Sequence, residues 1–286
     1  MIRLISSEMF KLRKRSMTRV LLFVLIGIIV IMHLVLLAVS KANLPNAGRL
    51  GDISNVLGLP SALPFAMYIL SSFGGVLAII LVASAMGNEY NWRTIRTAVV
   101  SSESRFKLLT AKLISAAIFI LIGMVIGLAA GFIMSLITTA IGGYKFDFSF
   151  ATGSFLWNQF LQFWRTFFII IPYTLLGFMF AIVGRSAMPG IAFGIGIFFL
   201  ESFITTFMYL AKGWIAKIPS YLPYANMQAI NALNNLPKMF TGGGMGGGGL
   251  TIVLPSITHA FIVLSIYSLA FLVFAFYLFK KRDVTG

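Results

Sequence analysis

The chain contains no cysteine, and its 286 residues include only two histidines and seven acidic side chains. Without cysteine there is no disulfide framework, no thiol nucleophile and no thiolate metal site. His33 and His259 cannot make an HExxH pair, and neither GxSxG nor an intramembrane pair of aspartates occurs. A GxxxxGK[ST] loop is missing as well, because the glycine tract Gly242–Gly249 lacks the lysine that cradles phosphates. The sequence therefore predicts no catalytic residue, no metal and no cofactor held by this chain.

What is abundant is apolar. Hydrophobic residues make up 59%, aromatics 14% and charged residues only 10%, with a mean hydropathy of +0.97. That composition lies outside the soluble globular class. The apolar runs are about 20 residues long rather than short alternating segments, so they read as helices and not as barrel strands. The expected fold class is all-α: a single polytopic membrane domain with six transmembrane helices.

Residues 1–19 read as a basic amphipathic helix in the membrane interface, with Ile2, Ile5, Met9 and Leu12 on one face. Spans follow at about 20–39, 65–86, 108–141, 167–183, 187–209 and 260–279. The first is too long for the apolar core of a signal peptide. The third exceeds one bilayer thickness, which predicts tilt or projection beyond the membrane. Trp157, Phe160, Phe163 and Trp164 precede the fourth span as a membrane-boundary cluster. Residues 40–64 form a loop with three prolines, and 210–258 form the longest non-spanning stretch, its glycine tract reading as a flexible linker.

Six spans place both termini on one side. With that side inside, 15 of the 22 basic residues are inside and seven outside, so the positive-inside rule makes both termini cytoplasmic. The net charge of +15 thus follows the membrane and is no nucleic-acid signature. The expected location is the cell membrane, as a multi-pass protein surrounded by lipid.

Glu201 is the one acidic residue well inside a span, and His33 lies mid-span in the first. Glu201 reads either as a lining residue of a translocation path or as a neutral or Lys212-paired group steadying the fifth span. His33 reads as a path residue or a packed, hydrogen-bonded one. Gly123, Gly127 and Gly131 recur every four residues, which permits close helix packing within the subunit or at a subunit interface. Pro189, Gly190, Gly194 and Gly196 make the fifth span a candidate for bending.

The most informative stretch is the polar island at 87–107, running from Gly87 through Glu89, Tyr90, Asn91, Trp92, Arg93 and Thr94 to Arg105. It can fold as a short cytosolic helix, with Glu89, Arg93 and Arg96 spaced to pair along it. Tyr90 and Trp92 supply apolar anchors for a partner protein or, alternatively, an interfacial aromatic belt.

The amphipathic start, the six spans and this island together resemble the permease subunit of type-2 ATP-binding-cassette (ABC) exporters. In that family an acidic residue, Gly-Thr, an arginine and a lysine recur in this loop. Glu89, Thr94, Arg105 and Lys112 match, whereas Arg93 replaces the glycine and Ser102-Glu103 replace a proline. Tyr221-Leu222-Pro223-Tyr224 is similar to the family's Leu-Pro element. The resemblance implies that the island is a coupling helix seated in a separate cytosolic ABC ATPase subunit, which would bind the ATP. It also implies a second permease copy, identical or related, outward transport, and short re-entrant helices within 210–258. Rival readings are an ATP-independent transporter or channel, and a membrane anchor or sensor for a cytosolic partner.

Overall fold

The computed structural model describes the chain except for residues 43–56, 60, 93, 95–103, 144–145, 147, 212, 235–253 and 282–286. Among the described residues every regular element is helical. Helix α1 (Ile2–Lys14) is followed by α2 (Ser16–Lys41), and then by α3 (Ala62–Ile69), a π-helical turn (Leu70–Gly74) and α4 (Gly75–Asn91) in one continuous rod. Then come α5 (Arg105–Gly142), α6 (Gly153–Val183), α7 (Ala187–Leu210), a 3₁₀ turn (Ile215–Tyr221), α8 (Pro223–Asn231) and α9 (Ile257–Lys281).

Among the described residues six rods are long and apolar enough to cross a membrane: α2, the α3–α4 rod, α5, α6, α7 and α9. The chain is a multi-pass integral membrane protein. The spans are longer than the apolar runs alone suggest. Helix α5 has 38 residues, about 57 Å at 1.5 Å per residue, against a hydrocarbon core of about 30 Å. It is therefore longer than one upright crossing of the core requires. The boundary aromatics Trp157 to Trp164 belong to the early turns of α6 rather than to a separate segment.

The α3–α4 rod and α6 form the centre, with 56% and 67% of their most apolar windows buried, whereas α7 and α9 at 11% and 17% lie outside. Apolar area alone cannot hold such a bundle in lipid, since lipid tails are as apolar as leucine; close approach must do it. Glycines supply that approach. A Cβ on Gly190 of α7 would stand 2.6 Å from the Gly177 carbonyl of α6 and 2.8 Å from the Ala83 Cβ of α4. Gly190 and Gly194 serve close packing, Gly196 faces open space, and α7 runs as a single helix with Pro189 in its first turn. On α5, a Cβ at Gly127 or Gly131 would overlap Leu70 or Ala66, so both glycines pack within the subunit. Gly123 has open space around it.

The span ends away from the ionic ends of α4 and α5 are also tied by hydrogen bonds. Lys41 donates to the Ile141 carbonyl at 3.0 Å, and a His259 ring nitrogen lies 2.8 Å from the Ser220 carbonyl. Helix α8 begins with Pro223 in its first turn, where its missing N–H costs nothing, and it buries Ala225, Met227 and Ile230 in the bundle. The glycine tract lies outside the described residues.

Candidate functional site: a buried ionic joint beneath the island

Helix α1 meets α2 through a one-residue break at Arg15, whose extended backbone (φ −65°, ψ 129°) turns the chain from one helix into the next. The break falls four residues earlier than the sequence boundary at 19/20. The buried face of α1 is also rotated from the expected one. Ile2 is 84% exposed, whereas Glu8 and Leu12 are buried. Leu12 packs on Leu81 and Ala85 of α4, and the Ser115 hydroxyl of α5 donates to the Ile5 carbonyl at 3.2 Å.

That rotation brings five charges together. Lys112, in the second turn of α5, is 2% exposed, and its Nζ lies 2.5 Å from Glu89 Oε1 and 2.8 Å from Glu8 Oε2. Lys11 approaches Glu8 Oε1 at 2.5 Å and Glu89 Oε1 at 3.5 Å. Arg15 adds a longer contact to Glu89 at 3.9 Å and donates to the Ala85 carbonyl at 3.3 Å. The two carboxylates face three cations, an excess of one positive charge. A lone buried lysine would be costly, and only such pairing makes Lys112 tolerable at this position.

Glu89 sits in the last turn of α4, where the helix dipole disfavours an anion. The cations of α1 and α5 offset that penalty. Burial alone would raise the Glu8 carboxyl, but the charge of Lys112 and the hydrogen bonds from Lys11 and Lys112 outweigh it and hold it below its ordinary 4.5. Burial likewise opposes the charge on Lys11, yet the Glu8 hydrogen bond and the nearby Glu89 raise it above 10.5. Both shifts favour the charged cluster.

The described residues of the island lie beside this joint. Glu89 (2% exposed) faces the protein's own cations, so its carboxylate belongs to the joint rather than to an outward surface. Tyr90 is partly buried against the cluster of Met86 and Leu108. Asn91, Trp92 and Thr94 are exposed. The Trp92 ring, 58% exposed, lies 5.1 Å under the Arg15 guanidinium. Arg105 donates to the Lys280 carbonyl at 3.4 Å, and Phe106 packs on Phe276, which ties the start of α5 to the end of α9. Arg93, Arg96 and most of the expected coupling helix lie outside the described residues. Gly87 completes the region: a Cβ there would collide with the backbone of Ser186 and Ala187, where α7 begins.

Glu201 and His33 are far from this joint in the chain and hold different neighbours. Glu201 accepts from the Tyr173 hydroxyl at 2.8 Å and from the Tyr224 N–H at 2.7 Å. It thereby caps the N-terminus of α8, a favourable place for a carboxylate. Lys212, its expected partner, lies outside the described residues. His33 is fully buried, with Nδ1 2.8 Å from the Ile29 carbonyl and the ring edge-on to Phe65.

Glu8, Lys11 and Arg15 are not among the site residues expected from the sequence. The signal was available: Ile5, Glu8, Leu12 and Arg15 follow three-four-three spacing, and Glu8 is the single acid in an otherwise basic helix. Among the described residues no group of three or more metal-ligating side chains converges.

The uncharacterized protein YhcI of Bacillus subtilis (strain 168) is 24% identical over 220 residues, covering 74% of this chain. The match spans 65% of that protein, just under two thirds of its length. A family model matches residues 54–285, which include the joint's Glu89 and Lys112, and the chain belongs to the family described as a protein of unknown function (DUF2705).

Proposed function

We propose that this chain is the membrane-spanning subunit of an ATP-driven exporter, coupled to a separate cytosolic ATPase and acting beside a second permease copy. The observation that carries this reading is the ionic joint. It clamps α1, the end of α4 and the start of α5 into one unit at the two described ends of the polar island. A load applied to the island reaches three helices at once, which is what mechanical coupling requires. Trp92 offers the docking anchor, with Asn91 and Thr94 beside it, and Tyr90 and Arg105 fix the ends of the loop to the bundle. Both termini and the island then face the cytoplasm, in agreement with the distribution of basic residues.

The test is co-expression with an ATPase encoded beside this chain, followed by co-purification. Trp92→Ala removes exposed surface and the Arg15 ring contact but leaves the short Lys112 and Lys11 ion pairs in place, so it should lose the ATPase while melting close to wild type. Glu89→Ala disturbs the joint itself and serves as the comparison for a folding defect. An ATPase retained equally by wild type and Trp92→Ala removes Trp92 as the anchor, and no ATPase retained by wild type removes the exporter reading. Orientation is checked separately. The absence of native cysteine makes Asn91→Cys and Ala151→Cys unique reporters, and a membrane-impermeant thiol reagent added outside cells should label only the second.

A further inference from the structure

A groove of about 710 Å³ opens between α1, α2, the π-helical turn and α5. Its volume lies in the range that takes up ligand-sized molecules. The floor is made by Leu25, Leu70 and Ile170, all buried. Apart from one end the lining is apolar, a poor home for ordered water. That end carries Ser6, Arg13, Thr18 and Arg19. Neither arginine is ion-paired among the described residues, and the nearby acids Glu8 and Glu89 are engaged in the joint.

Two local features keep the groove open. The π-helical turn departs from the regular α-helical course and sets Leu70 and Gly74 along the groove. On the facing helix Gly123 lines the groove, and a Cβ there would meet nothing within 4 Å. Because α2 is mostly unburied over its apolar window, the groove lies beside a helix face that meets surrounding lipid.

We propose that this groove binds an anionic phospholipid, with an acyl chain along Leu25, Leu70 and Gly123 and the phosphate on Arg13 and Arg19. An apolar slot with two unpaired arginines at one end complements a molecule that is apolar along its length and negative at its head. The assignment fixes the leaflet as the one against which α1 lies. It does not depend on the exporter reading.

The experiment is native mass spectrometry of the purified full chain, with phosphatidylglycerol and phosphatidylcholine added at equal concentrations. Wild type should retain phosphatidylglycerol in preference to phosphatidylcholine. The pair Arg13→Gln/Arg19→Gln should weaken phosphatidylglycerol binding about 30-fold and leave phosphatidylcholine unchanged. Arg3→Gln/Lys280→Gln removes the same charge outside the groove and should keep the wild-type preference. Gly123→Phe fills the slot and should lose the bound lipid, with Gly123→Leu as the milder version should the larger ring disturb folding. The proposal is overturned if the preference survives Arg13→Gln/Arg19→Gln. It is equally overturned if both charge pairs lower it alike, or if folded Gly123→Phe or Gly123→Leu protein retains lipid as wild type does.

Discussion

Replacing Lys112 with methionine isolates what the ionic joint contributes, because the two side chains are similar in length and only the charge and its hydrogen bonds are lost. Lys112 is the cation shared at short range by both carboxylates, 2.5 Å from Glu89 and 2.8 Å from Glu8. Without it, Glu89 keeps only the longer contacts to Lys11 and Arg15, at 3.5 and 3.9 Å. Breaking a buried pair by removing one partner costs about 3–5 kcal/mol, since the remaining charge is left without compensation. For a chain of this size that corresponds to roughly 5–8 °C in melting temperature. The assay is thermal unfolding of purified protein in one detergent, followed by far-ultraviolet circular dichroism. The triple variant Glu8→Gln/Glu89→Gln/Lys112→Met removes both acids together with their shared cation and should recover part of the loss, because the buried charges go together while Lys11, which is left without a carboxylate, is partly exposed and Arg15 keeps its carbonyl acceptors. A double-mutant cycle between Glu89→Gln and Lys112→Met should show coupling of about 0.5–3 kcal/mol. If Lys112→Met melts with wild type, the three helices are held by something other than these charges and the mechanical argument fails.

The Glu8 carboxyl is held below 4.5 in the folded protein, so its contribution is present above the unfolded value and is lost as pH falls through the folded one. The melting difference between wild type and Glu8→Gln should therefore be constant near neutral pH and shrink below 4.5; a difference that grows on acidification contradicts the assignment. Gly87→Ala, which forces a methyl group into the backbone of Ser186 and Ala187, should destabilise by about 1–3 kcal/mol or more, whereas Gly123→Ala should be nearly silent. Equal melting temperatures for those two variants would show that α4 and α7 do not approach closely. Glu201→Ala removes the acceptor for both Tyr173 and the first turn of α8 and should cost about 1–3 kcal/mol, with Glu201→Gln losing less because an acceptor oxygen remains. Should both variants melt like wild type, the cap on α8 contributes nothing.

The six spans were legible in the sequence because each apolar run is long and local, and lipid leaves an isolated run little choice but a helix. An amphipathic start, the prolines bounding the loops and the polar island were legible for the same reason: composition and spacing along one segment carry them. What lay beyond the sequence depended on rotation and contact between segments. Periodicity gave α1 an apolar face through Ile2 and Ile5, but burying Glu8 beside Lys112 requires knowing that α5 passes there, 104 residues later. Glu89 looked like an exposed contact in a polar loop, yet it falls in the last turn of α4 and turns inward, a difference of about 100° per residue around a helix. By sequence the α7 glycines suggest bending, whereas Gly190 and Gly194 lie against Gly177 of α6 and Ala83 or Ile79 of α4. Local sequence determined which segments are helices and which are apolar. Only tertiary structure decided which face of each helix meets another, because an ion pair between distant segments has no period to read.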